Sequence, residues 1–365
     1  MTMNRAAIAL VCSLVAYSAS AADLGTELTQ ALAGSQTPAV AALKIKDGKV
    51  VDEAARGVKR NDQAGQVTND DIWATGSDGK PMTAALIARL VDRGTLSWDA
   101  PLAKMLPELA DTMRPEYRGV TLVQLLSHRA GLAHDTNDID FFNSFFHDSR
   151  PLPAQRLAYL RQALTEAPVA KPGEKFEYSN TGFVVAAAVA EHATGESYEA
   201  LMQREIFTPL GMKSARFAPT ATDETHGHLH GKPANVEDGN PLMLAPAGAE
   251  LHLSLTDWAK FCLDQLAGAH GQGKLLSTAS YHLMQTAQAD SSAGLGWGVR
   301  DSFAGRQGPV LMHAGTDGNW YALVALFPAT GSGAIVAANA GEEMGGDKVT
   351  RVVMTSMLPD LAPAK

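Results

Sequence analysis

The sequence predicts an α/β protein of the α+β kind. An antiparallel sheet is built from both chain ends and flanked by helices, and a mostly helical lobe is inserted between those ends. Three observations lead there. Apolar residues 39–45 and 49–51 are separated by Asp47-Gly48, the strongest short signal for a hairpin. A second hairpin pattern, Trp320 to Phe327 and Gly333 to Asn339, lies near the other end. Between them, roughly from Ala84 to Leu283, the apolar spacing is helical. Strand-rich ends around a helix-rich middle imply one sheet shared by both ends.

The elements follow in order. Residues 1–22 read as a signal peptide: Arg5 gives a positive start, Ala6 to Ala16 is apolar, and Ala19-Ser20-Ala21 is a small-residue cleavage signal. The apolar run is too short to anchor in a bilayer. A lipoprotein reading through Cys12 is weaker, because Val11 is bulky where a small residue is wanted. Residues 23–365 form the catalytic unit, with a sheet lobe over about 23–76 and 286–365 and a helical lobe over about 77–285. A helix over Ala84 to Val91 ends at Gly94. Pro81 fits only in its first turn, where no N–H is needed, which puts Ser77 at or just before the helix start. Further helices are expected at Thr121 to Leu126, Ala154 to Leu164, Thr181 to Ala193 and Ser254 to Leu266, with Gly and Pro between them. Thr220 to Pro246 is polar and poorly periodic and reads as a loop. Val349 to Leu358 reads as a closing helix.

Composition narrows the function. The net charge is −9, which argues against a nucleic-acid or anionic-membrane partner. After signal removal only Cys262 remains, so no internal disulfide can form. Its helical setting favours a buried, inert thiol.

Three motifs carry the chemistry: Ser77-Asp78-Gly79-Lys80, Tyr178-Ser179-Asn180 and His313-Ala314-Gly315. A serine hydroxyl attacks only if its proton is taken. A lysine three residues on shares its helix face. A tyrosine can share the proton work, and a backbone N–H pair can hold the oxyanion. Each motif alone is weak, since an S-x-x-K tetrad is expected by chance about once in a chain this long. Their order and wide spacing carry the weight. Bland roles compete: a helix cap for Ser77, a solvated Lys80, a core Tyr178, a turn Asn180 and a strand-end His313. The near miss to G-x-S-x-G around Ser77 lacks a glycine at position 75 and a βα repeat, so an α/β-hydrolase elbow is rejected. His226, His228 and His230 would share one face of a strand and could ligate a metal, but no nearby Cys or carboxylate pattern supports that. A polar loop is the default, and no metal is assigned.

These residues resemble the serine β-lactamase / penicillin-binding protein superfamily, in its class C β-lactamase-like branch with DD-peptidases, D-aminopeptidases and family VIII-type esterases. The likeness extends to Met82-Thr83-Ala84-Ala85-Leu86, Gly94 to Asp99, Leu106-Pro107-Glu108, Leu125 to Leu132, Tyr178 to Phe183, Pro246-Ala247-Gly248 and Gly294-x-Gly296-Trp297-Gly298. It spans roughly Ala39 to Leu358 and implies a β-lactamase/transpeptidase-like fold. It implies Ser77 as nucleophile and Lys80 and Tyr178 as proton carriers, with Tyr178 made more acidic by nearby cations. The acylation base of S-x-x-K enzymes is disputed, and both residues stay candidates. Asn180 would touch Lys80 and the substrate's acyl side chain, and His313 would polarise Tyr178 or meet the substrate. Gly315 would let a substrate backbone approach the strand. The N–H groups of Ser77 and Thr316 would form the oxyanion hole.

Two positions depart from the pattern. Asp78 adds a carboxylate beside the nucleophile. It either opposes anions and greets a cationic amine, or is an exposed first-turn carboxylate favoured by the helix dipole. His313 replaces a lysine common in relatives and carries less positive charge at neutral pH. The expectation is an exported, periplasmic or secreted serine hydrolase that cleaves an ester, amide or D-amino-acid peptide through an acyl-enzyme. No cofactor is needed, and β-lactamase activity is weak. The alternative is a penicillin- or peptidoglycan-binding protein that acylates and turns over poorly.

Overall fold

A computed structural model describes residues 23–218, 224–289 and 291–365. The signal-peptide assignment lies outside the described residues.

The predicted first hairpin forms. Strand β1 (Ala39–Lys46) turns at Asp47 and Gly48, both at positive φ, into β2 (Lys49–Gly57). At the other end come β3 (Gly298–Phe303), β4 (Arg306–Thr316), β5 (Tyr321–Phe327) and β6 (Ser332–Ala338). The six strands pair antiparallel in the order β2-β1-β6-β5-β4-β3, so the chain ends meet at β1 and β6. The fold is β-lactamase/transpeptidase-like, as the resemblance implied.

Side-chain alternation along β1 sends Val40 and Ala42 to one face, and Ala41, Leu43 and Ile45 to the other. The first face is covered by α1 (Leu24–Leu32) and by the C-terminal helix Gly346–Leu361, through Leu28, Val353, Met354 and Met357. Helix α1 was not expected from the sequence. Asp23 caps it by accepting from Thr26 N. The second face packs on α4 (Leu255–Gly268), which shares one apolar core with α2 (Lys80–Asp92) and α3 (Asn180–Thr194). Ser179 and Ser254 cap α3 and α4, and Gly195 ends α3 in the left-handed conformation. The loop expected at 220–246 carries, among its described residues, a small hairpin of His228–Leu229 and Lys232–Pro233.

Candidate active site

The nucleophile candidate sits in a one-turn 3₁₀ segment, Gly76–Gly79, that runs into α2. Pro81 occupies the first turn, as its missing N–H requires. Ser77 caps neither segment. Its Oγ lies 2.9 Å from Lys80 Nζ and 2.8 Å from the Tyr178 hydroxyl.

Glycines make this turn possible. A Cβ on Gly248 would sit 1.9 Å from Gly76 O, and one on Gly315 would sit 1.9 Å from Thr75 O. The turn is thus clamped between the Gly248 loop and β4 with no side chain between. The missing Cβ of Gly315 makes room for the nucleophile turn. Gly76 has φ +52, and a Cβ there would sit 2.6 Å from Thr316 N. The Thr316 amide is thereby held against the turn that carries the Ser77 amide.

Lys80 is fully buried. Its Nζ lies 2.8 Å from both Asn180 Oδ1 and Ala247 O. The Asn180 amide is oriented by its Nδ2, which donates to Asp135 Oδ2 at 3.3 Å. Desolvation lowers the Lys80 pKa from 10.5 to about 7, against the opposing charges of Asp135 and Asp78. Lys80 and Asn180 also open α2 and α3, and the positive ends of two helices disfavour an ammonium. A neutral amine has two N–H groups and one lone pair. Asn180 Oδ1 and Ala247 O take the two N–H groups, which leaves the lone pair for the Ser77 hydroxyl.

Tyr178 departs from the acidity the resemblance implied. Burial raises its pKa, and the charges of Asp78 and Asp135 raise it further, while the bond to Ser77 acts the other way. Its ring stacks on His128 at 4.4 Å between centroids. His128 accepts from Ser179 N through Nδ1, and burial holds its pKa well below 6.5. His128 and Asp135 are site residues that sequence reasoning did not assign. His128 lay in the quoted Leu125 to Leu132 segment, while Asp135 had no local signal.

Asp78 is also corrected. It is 1 % exposed, so it is no surface carboxylate and meets no substrate directly. It points towards β4, where His313 Nδ1 lies 3.4 Å from its Oδ1. His313 Nδ1 also lies 2.9 Å from Ala314 O. A carbonyl only accepts, so Nδ1 carries a proton in this contact. Beside His313 opens a cavity of about 290 Å³, walled by His128, Phe176, Tyr178, Trp297, Arg300 and Met312. The guanidinium of Arg300 was not anticipated there.

The three histidines of the 220–246 loop each have their own neighbour: His226 beside Arg60, His228 on Asn339 O, and His230 on Glu343. Among the described residues no group of His, Cys, Asp and Glu has the arrangement of a metal site. No helix among them is long and apolar enough to cross a membrane.

Ser77 and Tyr178, both half-buried, meet buried Lys80 beside β4, and such a cluster has the groups that serine acyl transfer requires. The Beta-lactamase family model matches residues 26–355, and the chain belongs to that family. It is 28% identical over 321 residues to "Penicillin-binding protein 4" of Amycolatopsis lactamdurans, covering 83% of this chain and 81% of that one. It is 28% identical over 239 residues to "Esterase EstB" of Burkholderia gladioli, covering 61% and 60%. It is 27% identical over 282 residues to the "D-alanyl-D-alanine-carboxypeptidase/endopeptidase AmpH" of Escherichia coli K12, covering 73% and 70%. In fold it is similar to the octameric penicillin-binding protein homologue from Pyrococcus abyssi, with a TM-score of 0.74 and 24% identity over 93% of this chain and 77% of that one. The chain is a β-lactamase-family serine hydrolase related to esterases and to DD-peptidases.

Proposed function

We propose that the protein is an exported hydrolase that cleaves esters or D-aminoacyl amides through an acyl-enzyme on Ser77, with weak β-lactamase activity. The observation that carries this reading is the position of Ser77 Oγ, 2.9 Å from Lys80 Nζ and 2.8 Å from the Tyr178 hydroxyl. Neutral Lys80 takes the Ser77 proton as Oγ bonds to the substrate carbonyl carbon. The N–H groups of Ser77 and Thr316 receive the oxyanion. Tyr178, held protonated by its surroundings, gives its proton to the leaving group and recovers one from the Lys80 ammonium. The Ser77 proton has then moved to the departing alcohol or amine, and no net charge is left behind. Water follows the same route in reverse to release the acid. The cavity beside His313 receives one side of the substrate. Relatives named as an esterase and a D-alanyl-D-alanine carboxypeptidase support these two substrate classes.

The test uses the protein without residues 1–22 on p-nitrophenyl esters, D-aminoacyl anilides and nitrocefin. Ser77→Ala is expected to lower turnover by several orders of magnitude and to abolish fluorophosphonate labelling. Labelling of another residue would overturn the assignment. A burst with no steady turnover would favour the acyl-binding reading over the hydrolase.

A further inference from the structure

A second cavity, of about 60 Å³, lies near the nucleophile turn. Two of its walls are tied to that turn. Asp317 follows Thr316, whose amide abuts Gly76, and Glu250 follows Gly248, which packs on Gly76 O. One or two residues of chain span at most roughly 7 Å, so the cavity begins within that reach of the turn.

Its chemistry is one-sided. Asp317 Oδ1 accepts from the N–H groups of Asn319 and Trp320, which fixes the carboxyl and leaves Oδ2 to the cavity. A carbon added at Gly239 would lie 3.4 Å from Glu250 Oε1 and 3.6 Å from Asp317 Oδ2, so both oxygens face one space. Asn319 is 3 % exposed and lines the same cavity, and its Oδ1 has no hydrogen-bond partner among the described residues. A buried acceptor left without a donor is costly, and a ligand that donates to it removes that cost. Glu250 adopts φ +53, a left-handed conformation uncommon for a glutamate. Such strain gathers at functional sites. Burial and the Asp317 charge push Glu250 up to about 8, and burial pushes Asp317 up as well. His252 Nδ1 lies 4.0 Å from Glu250 Oε2, but burial pushes His252 down to about 4, so it brings no charge. Among the described residues no lysine or arginine lines this cavity.

We propose that Glu250, Asp317 and Asn319 form an ammonium subsite, which binds a primary amine carried by the ester or amide whose carbonyl lies at Ser77. Three acceptor groups match the three donors of a primary ammonium. A hard metal ion would call for about six oxygen ligands. The cavity has the volume of about two waters, enough for the headgroup alone. This inference rests on Ser77 as the nucleophile. It transfers selection of cationic substrates, expected of Asp78, to a different pair of carboxylates.

The experiment compares ω-aminoacyl p-nitroanilides of two to six carbons with their N-acetyl forms, in wild type, Glu250→Gln, Asp317→Asn and Asn319→Leu. In the wild type, kcat/KM is expected to be at least tenfold higher for the free amine at the best chain length. Each variant is expected to lower that ratio at least tenfold, mainly through KM. Equal losses on both forms would show a structural role only and overturn the subsite, as would a wild type indifferent to the amine. Calorimetric binding of Mg²⁺ or Ca²⁺ that Glu250→Gln abolishes would overturn it in favour of a metal. Fluorophosphonate labelling of Ser77 in the same samples tests the nucleophile separately, so the subsite can fail while the hydrolase stands.

Discussion

His313 Nδ1 lies 3.4 Å from Asp78 Oδ1, so the two positions read from the sequence as departures from the family pattern are neighbours. Asp78 sits behind the nucleophile turn and His313 at the lip of the cleft. A charge placed at position 313 is therefore answered from beneath.

A lysine at 313 would be partly neutralised by Asp78. In His313→Lys, kcat/KM for an anionic substrate relative to a neutral ester is expected to rise only about threefold. In the double variant with Asp78→Asn the rise is expected to reach about tenfold or more, because the buried countercharge is gone. Nitrocefin and p-nitrophenyl acetate measure the ratio. Equal gains in the two variants would show that Asp78 does not act on this position.

Lys80 sets the pH dependence. Its pKa is lowered to about 7, and the neutral amine is the base, so kcat/KM is expected to fall about tenfold per pH unit below that value and to level off above it. The same shift acts on stability. Between about pH 7 and 10.5 the unfolded chain holds a proton that the folded one does not, so this group's contribution rises with pH in that window. Relative to wild type, Lys80→Met should be most stabilised below pH 7, and the difference should shrink towards pH 10.5. Urea titrations at several pH values read it directly.

Tyr178 is held protonated, which suits an acid more than a base. Tyr178→Phe is expected to slow anilide cleavage by about 10²-fold or more, since general acid catalysis is worth that much. A p-nitrophenolate leaves without a proton, so the loss on the matching ester is expected to be smaller. Similar losses on both leaving groups would make Tyr178 a base instead.

Gly315→Ala forces a methyl into Thr75 O, a backbone atom that cannot step aside. A destabilisation of about 2–3 kcal/mol is expected, as for other overpacked sites. Activity should fall further than stability explains, because β4 and the nucleophile turn must separate. Denaturant titration and turnover on one sample check both.

The sheet ends and the helix starts could be read because their signals are local: Asp47-Gly48 for the first hairpin, Pro81 for the start of α2, Ser254 for the cap of α4. Ser77, Lys80 and Tyr178 could be read from order and spacing. The role of Gly315 could not, because the atom it avoids belongs to Thr75. Asp78 shows the same limit. A first-turn carboxylate is usually solvated, and only the packing of β4 over the turn buries it. Asp135 acts through Asn180 at a separation of 45 residues, beyond the reach of any local pattern.

The meeting of the chain ends also sets a clock. Ala39 N donates to Asn339 Oδ1, 300 residues away, and the turn of Ser77 is shaped against β4. A ribosome delivers the nucleophile early and its clamp, at Gly248 and Gly315, much later. A nascent chain lacking the C-terminal strands has the serine and the lysine but neither the cradle that aims them nor the Thr316 amide. Until β4 has been made, a chain that already carries Ser77 and Lys80 lacks the strand its turn is shaped against.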